Sequence, residues 1–135
     1  MMSFIRKIFS EFEGAKYYPV SGQGAMDSFT YIPGTRKDRG LLVAHADTFF
    51  DIPGISHSIE LEEGSYFSGN RESGIGADDR AGCTILWLLR NMGHSLLITD
   101  GEEYGAIAAG RIAAEFPDIY DELNSHCYML EFDRR

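Results

Sequence analysis

Two adjacent glutamates, Glu102 and Glu103, follow an apolar run at 96–98 that ends in Thr99, Asp100 and Gly101. Side by side at a strand end, two carboxylates repel by roughly 3 to 4 kcal/mol at an effective dielectric constant near 20. A cation, a shared proton or full solvation must offset that repulsion. A solvated turn favoured by the start of the next helix is the plain alternative. Two further apolar runs end in similar chemistry: residues 41–44 lead into His45, Ala46 and Asp47, and residues 126–132 lead into Asp133. Another pair, Asp78 and Asp79, stands just before a helical pattern. With a strand period of two, His45 and Asp47 point to the same side. Asp47 can then accept the ring N–H of His45 or sit next to it, leaving the other ring nitrogen free for a metal. One imidazole with several carboxylates suits zinc, manganese or cobalt better than calcium. Four acids gathered without a cation would be prohibitively costly.

The elements that must position these groups can be read from periodicity. Phe4, Ile5, Ile8, Phe9 and Phe12 recur with helical spacing, with Ser3 as N-cap and Gly14 as stop, giving a short amphipathic helix with a structural role. Residues 21–24 read as loop, 28–32 as a strand and 33–40 as a charged turn. The run at 41–44 lacks polar alternation and predicts a strand covered on both faces, as in the parallel part of an α/β sheet. Residues 59–61 and 65–67 predict a hairpin. Residues 69–76 form a glycine-bearing loop, with Arg71 and Glu72 exposed or near a substrate. Ala81, Ile85, Leu88, Leu89 and Met92 outline the inner face of a helix of about three turns, for which Asp79 is a candidate N-cap, leaving Asp78 for another task. Ala108, Ala109, Ile112 and Phe116 outline a second amphipathic helix, Pro117 breaks it, and 118–123 is a short helical piece. His94 begins a strand at the end away from the glutamates, so a structural role is expected for it; His126 begins the last strand, far from its site end, and His57 reads as an exposed loop histidine.

At 135 residues, with 44% hydrophobic and 13% aromatic content, the chain predicts a single domain spanning 1–135 with a proper core. A formal charge of −9, from 12 basic against 21 acidic residues, argues against nucleic acid or an anionic membrane as partner. Divalent ions among Asp47, Asp78, Glu102, Glu103 and Asp133 would bring that balance towards an ordinary value. The first residues lack the apolar stretch of a secretory signal and no segment reaches membrane-spanning length, so the cytoplasm is the expected location. Cys83 and Cys127 read as reduced core residues, in a helix and a buried strand.

The ordered set AHAD at 44–47, GADDRAG at 76–82, DGEEYG at 100–105 and EFD at 131–133 resembles the co-catalytic dinuclear zinc exopeptidases, the superfamily of aminopeptidases, carboxypeptidases, dipeptidases and related amidohydrolases. The resemblance covers about residues 40–135, the first part of a catalytic domain in that family. It implies a three-layer αβα sandwich with a mixed, mostly parallel sheet, incomplete at its C-terminus. It further implies that His45 binds one metal and Asp47 orients it, that Asp78, joined to Asp79 by a cis peptide, bridges both ions, that Asp133 completes the first site and that Glu103 binds the second. Glu102 would be the general base. The implied reaction is attack on a peptide or amide carbonyl by a hydroxide held between two divalent ions, zinc foremost with manganese or cobalt as substitutes, about 3.5 to 4 Å apart. The implied substrate is a peptide or an N-acylated amino acid. The family's second site also takes a histidine from well after the strand ending in Asp133. His57, His94 and His126 do not match it by position, so that site is expected to be incomplete. The alternative is a noncatalytic metal-binding or interaction module on the same scaffold. Uncovered apolar surfaces on the last strand and the two apolar helices make a homo-oligomer a further expectation.

Overall fold

The computed structural model describes residues 4–20, 28–49, 58–70 and 73–133. Ser3, the loop at 21–24, His57, Arg71 and Glu72 lie outside the described residues. The element order is α1 (Phe4–Ser10), β1 (Lys16–Pro19), β2 (Ser28–Ile32), β3 (Leu41–His45), β4 (Ile59–Glu62), β5 (Ser65–Ser68), α2 (Ala77–Leu89), β6 (Ser95–Thr99), α3 (Ile107–Glu115), α4 (Pro117–Asn124) and β7 (Met129–Glu131).

Five strands form one sheet in the order β1-β2-β6-β3-β7, and β4 pairs with β5 in a separate hairpin. The pairings β1–β2 and β2–β6 are antiparallel, whereas β6–β3 and β3–β7 are parallel. The sheet is therefore mixed, as expected, with parallel and antiparallel pairings in equal share among the described strands. Every residue of β2, β3 and β6 is buried, which is why LLVA and LLI read as continuous apolar runs. Period-two alternation sends Leu42, Ala44, Leu96 and Ile98 to one face, against Phe9 of α1 and Cys83 and Leu86 of α2. Leu41, Val43 and Leu97 face the other side, against Ala108 and Ile112 of α3 and, more loosely, Ile119 and Leu123 of α4. Helices thus cover both faces of the sheet, giving the three-layer arrangement.

Two expectations need correction, and one strand was not foreseen. The inward side of α2 is Asp79, Gly82, Cys83 and Leu86, while Ile85, Leu88 and Met92 are exposed. The helix is apolar almost all round from Ile85 to Leu89, so periodicity alone has little contrast there. Position 82 must be glycine for this orientation, since a Cβ would collide with the Phe132 carbonyl oxygen and the Asp79 carboxylate. The last strand is shorter than 126–132, lies at the sheet edge and is exposed, and Cys127 just before it is exposed rather than part of the core. Finally, β1 was not anticipated: KYYP is four residues long and ends in proline, which an edge strand tolerates.

Candidate metal centre

Because β3, β6 and β7 are parallel, their carboxyl ends lie together, and each ends in one of the sequence's chemical groups. His45 pairs with Thr99 across β3 and β6, and Val43 pairs with Glu131 across β3 and β7. The Phe132 amide donates to the Val43 carbonyl at 2.9 Å, carrying the chain on to Asp133 beside His45.

His45 is almost fully buried. Its Nδ1 faces the Asp47 carbonyl oxygen at 3.0 Å and the Asp47 carboxylate at 3.4 Å. That fixes the ring and aims Nε2 at Asp78 Oδ1 (3.2 Å), Asp133 Oδ1 (3.7 Å) and Glu102 Oε2 (3.8 Å). Nε2 is buried and makes no hydrogen bond among the described residues, although these oxygens surround it. A buried ring nitrogen without a hydrogen bond, facing three carboxylates, needs a positive charge: a proton on the ring or a metal ion among the oxygens. Burial alone would lower the His45 pKa, but the hydrogen bond and charge of Asp47, with the charges of Asp79 and Glu102, outweigh it and raise the value to about 9. The same surroundings that favour imidazolium would favour a divalent cation.

Two groups of donor atoms each fall within 4.8 Å of one another: His45 with Asp78 and Asp133, and His45 with Glu102 and Glu103. The structure therefore brings together all the predicted metal ligands, His45, Asp78, Glu103 and Asp133, with the predicted base Glu102. Asp78 and Glu103 fall in different groups, joined through His45. The donor set, one imidazole and carboxylate oxygens around a hydrogen-bond-deficient buried nitrogen, fits a divalent cation.

Asp47 does more than orient His45. Its Oδ1 and Oδ2 accept the backbone amides of Glu102 and Glu103, each at 3.2 Å. Burial pushes its pKa up, but the His45 hydrogen bond, the two amides and the His45 charge bring it below the ordinary range. Both glutamates are thus aimed by one carboxylate that stays ionised. The turn between β6 and α3 requires a left-handed residue at Gly101 (φ 72°), and Glu103 Oε1 accepts the Phe49 amide at 3.3 Å. Burial raises the Glu102 pKa, opposed by His45 and reinforced by the charges of Asp133, Glu103 and Asp47.

The peptide bond between Asp78 and Asp79 is cis. The backbone at Asp78 and Asp79 is non-helical, so the regular turns of α2 begin after Asp79, which caps them as the sequence suggested: its Oδ1 accepts the Gly82 amide at 2.8 Å and its Oδ2 accepts the His45 amide at 3.1 Å. Its burial pushes the carboxyl up to about 6 against those two bonds. Asp78, half-exposed, is left to face His45. Cys83 joins the same junction by donating its thiol to the His45 carbonyl at 3.2 Å.

Sequence reasoning missed the support behind the glutamate turn. Arg6 of α1 is buried, with Nε 3.2 Å from Asp100 Oδ2 and its terminal nitrogen donating to Ser28 Oγ at 3.2 Å. A polar residue between the apolar positions of a short helix gives no sign that it is buried. Its partners lie far away in sequence.

His94 and His126 sit at the opposite end of the strands. The Gly40 amide donates to His94 Nδ1 at 3.0 Å. His126 bonds the Leu123 carbonyl at 2.9 Å and Ser95 Oγ at 2.7 Å. Both hydrogen-bond within the fold, as expected for His94.

No family model matches the sequence, and no curated protein matches it. Among solved structures, the crystal structure of aminopeptidase PepT from Bacillus cereus shares the fold, with a TM-score of 0.64 at 23% identity. The match covers 96% of this chain and 36% of that one, so the chain spans about a third of the length of the protein it resembles. At this identity the likeness establishes a peptidase-like α/β fold. No helix among the described residues is long and apolar enough to cross a membrane.

Proposed function

We propose that this chain is part of the catalytic domain of a metal-dependent hydrolase of peptide or amide bonds, aminopeptidase-like, with Glu102 as general base. One observation carries the reading: carboxylates from three separate segments converge on His45, whose buried Nε2 makes no hydrogen bond among the described residues. His45, Asp78 and Asp133 would hold one divalent ion, and Glu103 would serve a second, with zinc the best match and manganese or cobalt also suited. A bound ion would polarise the amide carbonyl and ease deprotonation of water at neutral pH. The chain's own part is positional and acid–base. Asp47 holds the ring of His45 and the amides of both glutamates. Glu102, its pKa raised by burial and neighbouring acids, takes the proton of the attacking water and returns it to the leaving amine. The substrate class is a peptide or an N-acylated amino acid, and the free thiols of Cys83 and Cys127 suit a cytoplasmic setting.

A second reading, a metal-binding module without turnover, is favoured by the sharing of His45 between both groups, which leaves one imidazole for two ions. Hydrolysis of aminoacyl amides and N-acylated amino acids by zinc-loaded protein, compared with Glu102→Gln, separates the two. The hydrolase reading expects a loss of about a hundredfold to ten-thousandfold with metal content unchanged. Metal binding with no hydrolysis by the unaltered protein selects the module.

A further inference from the structure

The buried triad of Arg6, Ser28 and Asp100 lies on the opposite side of the glutamate turn from Asp47. β2 runs antiparallel to β6, so its first residue, Ser28, lies beside the end of β6, where the chain leaves the sheet for Glu102. Ser28 Oγ donates to Asp100 Oδ2 at 2.6 Å and the Asp100 amide donates to the Ser28 carbonyl at 3.0 Å. Arg6 closes the triad from α1, with Nε 3.2 Å from the same Asp100 oxygen. All three residues are buried. From Asp100 onward the turn is fixed at successive points: the Ala108 amide bonds the Asp100 carbonyl, the Ile107 amide bonds the Gly101 carbonyl, and the next two amides meet Asp47. Without Arg6 the buried Asp100 would lose its paired cation while keeping the Ser28 hydroxyl, and the turn would shift to bring water to the vacated side.

We infer that Arg6 is a positioning residue: through Asp100 it sets the backbone of the turn that aims Glu102 and Glu103, which makes α1 part of the site's machinery as well as a cover for the sheet. The inference rests on the proposed roles of the two glutamates, but its direct test needs neither metal nor turnover. Amide hydrogen exchange on metal-free protein reads the turn residue by residue. In Arg6→Met, protection of the Glu102 and Glu103 amides should fall about tenfold or more, while the β3 amides of Val43 and Ala44 stay within about twofold of their original values. Arg6→Lys, which keeps the charge but not the forked donor, should restore part of the loss. Ile112→Ala, a destabilising change in the opposite layer, should lower protection without singling out the turn. In zinc-loaded protein, Arg6→Met should lower kcat for amide hydrolysis more than it raises KM.

Protection at Glu102 and Glu103 that is unchanged in Arg6→Met, or that falls no more than at Val43 and Ala44, overturns the inference. If Arg6→Met does not fold, Ser28→Ala removes the hydroxyl's bonds to Asp100 and Arg6, keeps the Arg6–Asp100 ion pair, and should give the same selective pattern in weaker form; a uniform pattern there overturns it equally. Selective loss in a protein that hydrolyses nothing would leave the positioning role standing and count against the hydrolase reading alone.

Discussion

The two ends of the parallel strands use histidine in opposite ways. At the amino ends, His126 lies between the Leu123 carbonyl and the Ser95 hydroxyl, and His94 receives the Gly40 amide, so their partners are neutral groups of the fold. At the carboxyl ends, His45 satisfies one nitrogen on Asp47 and turns the other towards three carboxylates, without a hydrogen bond among the described residues. His45 is almost fully buried whereas His94 and His126 are only partly buried, so the charge of the surroundings acts with burial to decide what each can do. A ring among neutral partners is complete, whereas a ring among anions calls for a cation.

The sharpest way to break this contrast is to remove the rings in turn. His45→Ala should weaken zinc binding by more than about a hundredfold, beyond what loss of an outer partner alone produces, while His94→Ala and His126→Ala leave it unchanged. Zinc titration by calorimetry checks this.

A second contrast is in pH dependence. The folded His45 pKa, about 9, lies above the ordinary 6.5, so its protonation stabilises metal-free protein fully below pH 6.5. That stability, on the order of 3 kcal/mol, is lost as pH rises through 9. The raised Asp79 carboxyl acts in the same direction at lower pH, its contribution falling between the ordinary carboxylate value and about 6. Urea unfolding across pH 5 to 9 should therefore show metal-free protein weakening with pH. Zinc-bound protein should weaken less, because metal takes the proton's place.

Gly82→Ala should cost about 2 kcal/mol by forcing β7 and the Asp79 cap away from α2, measured as a lower urea midpoint. The smallest effect is expected at the neutral end, where His126→Ala should cost about 1 kcal/mol in the same measurement and leave the metal site intact.

Much of the carboxyl end was legible in the sequence for a physical reason. A strand buried on both faces must be apolar throughout, so the first polar residue after LLVA or LLI marks where the chain leaves the sheet, and His45 and Glu102 follow from that. Asp79 was legible as a cap because it stands before a helical pattern. The face of α2 was not, since Ile85, Leu86, Trp87, Leu88 and Leu89 offer apolar side chains in every direction and only the glycine at 82 selects one. The exposure of β7 depends on its place at the sheet edge, which local pattern does not contain. Arg6 is the clearest case of hidden information, because its role comes from a contact with Asp100 that only the fold creates.

The most direct test of the carboxyl-end cluster is elemental analysis of metal per chain on protein purified without chelator, repeated on Asp78→Ala. The account predicts about one equivalent of zinc or more, falling sharply in the variant. No bound metal even after zinc is added back, or equal metal in both proteins, would contradict it.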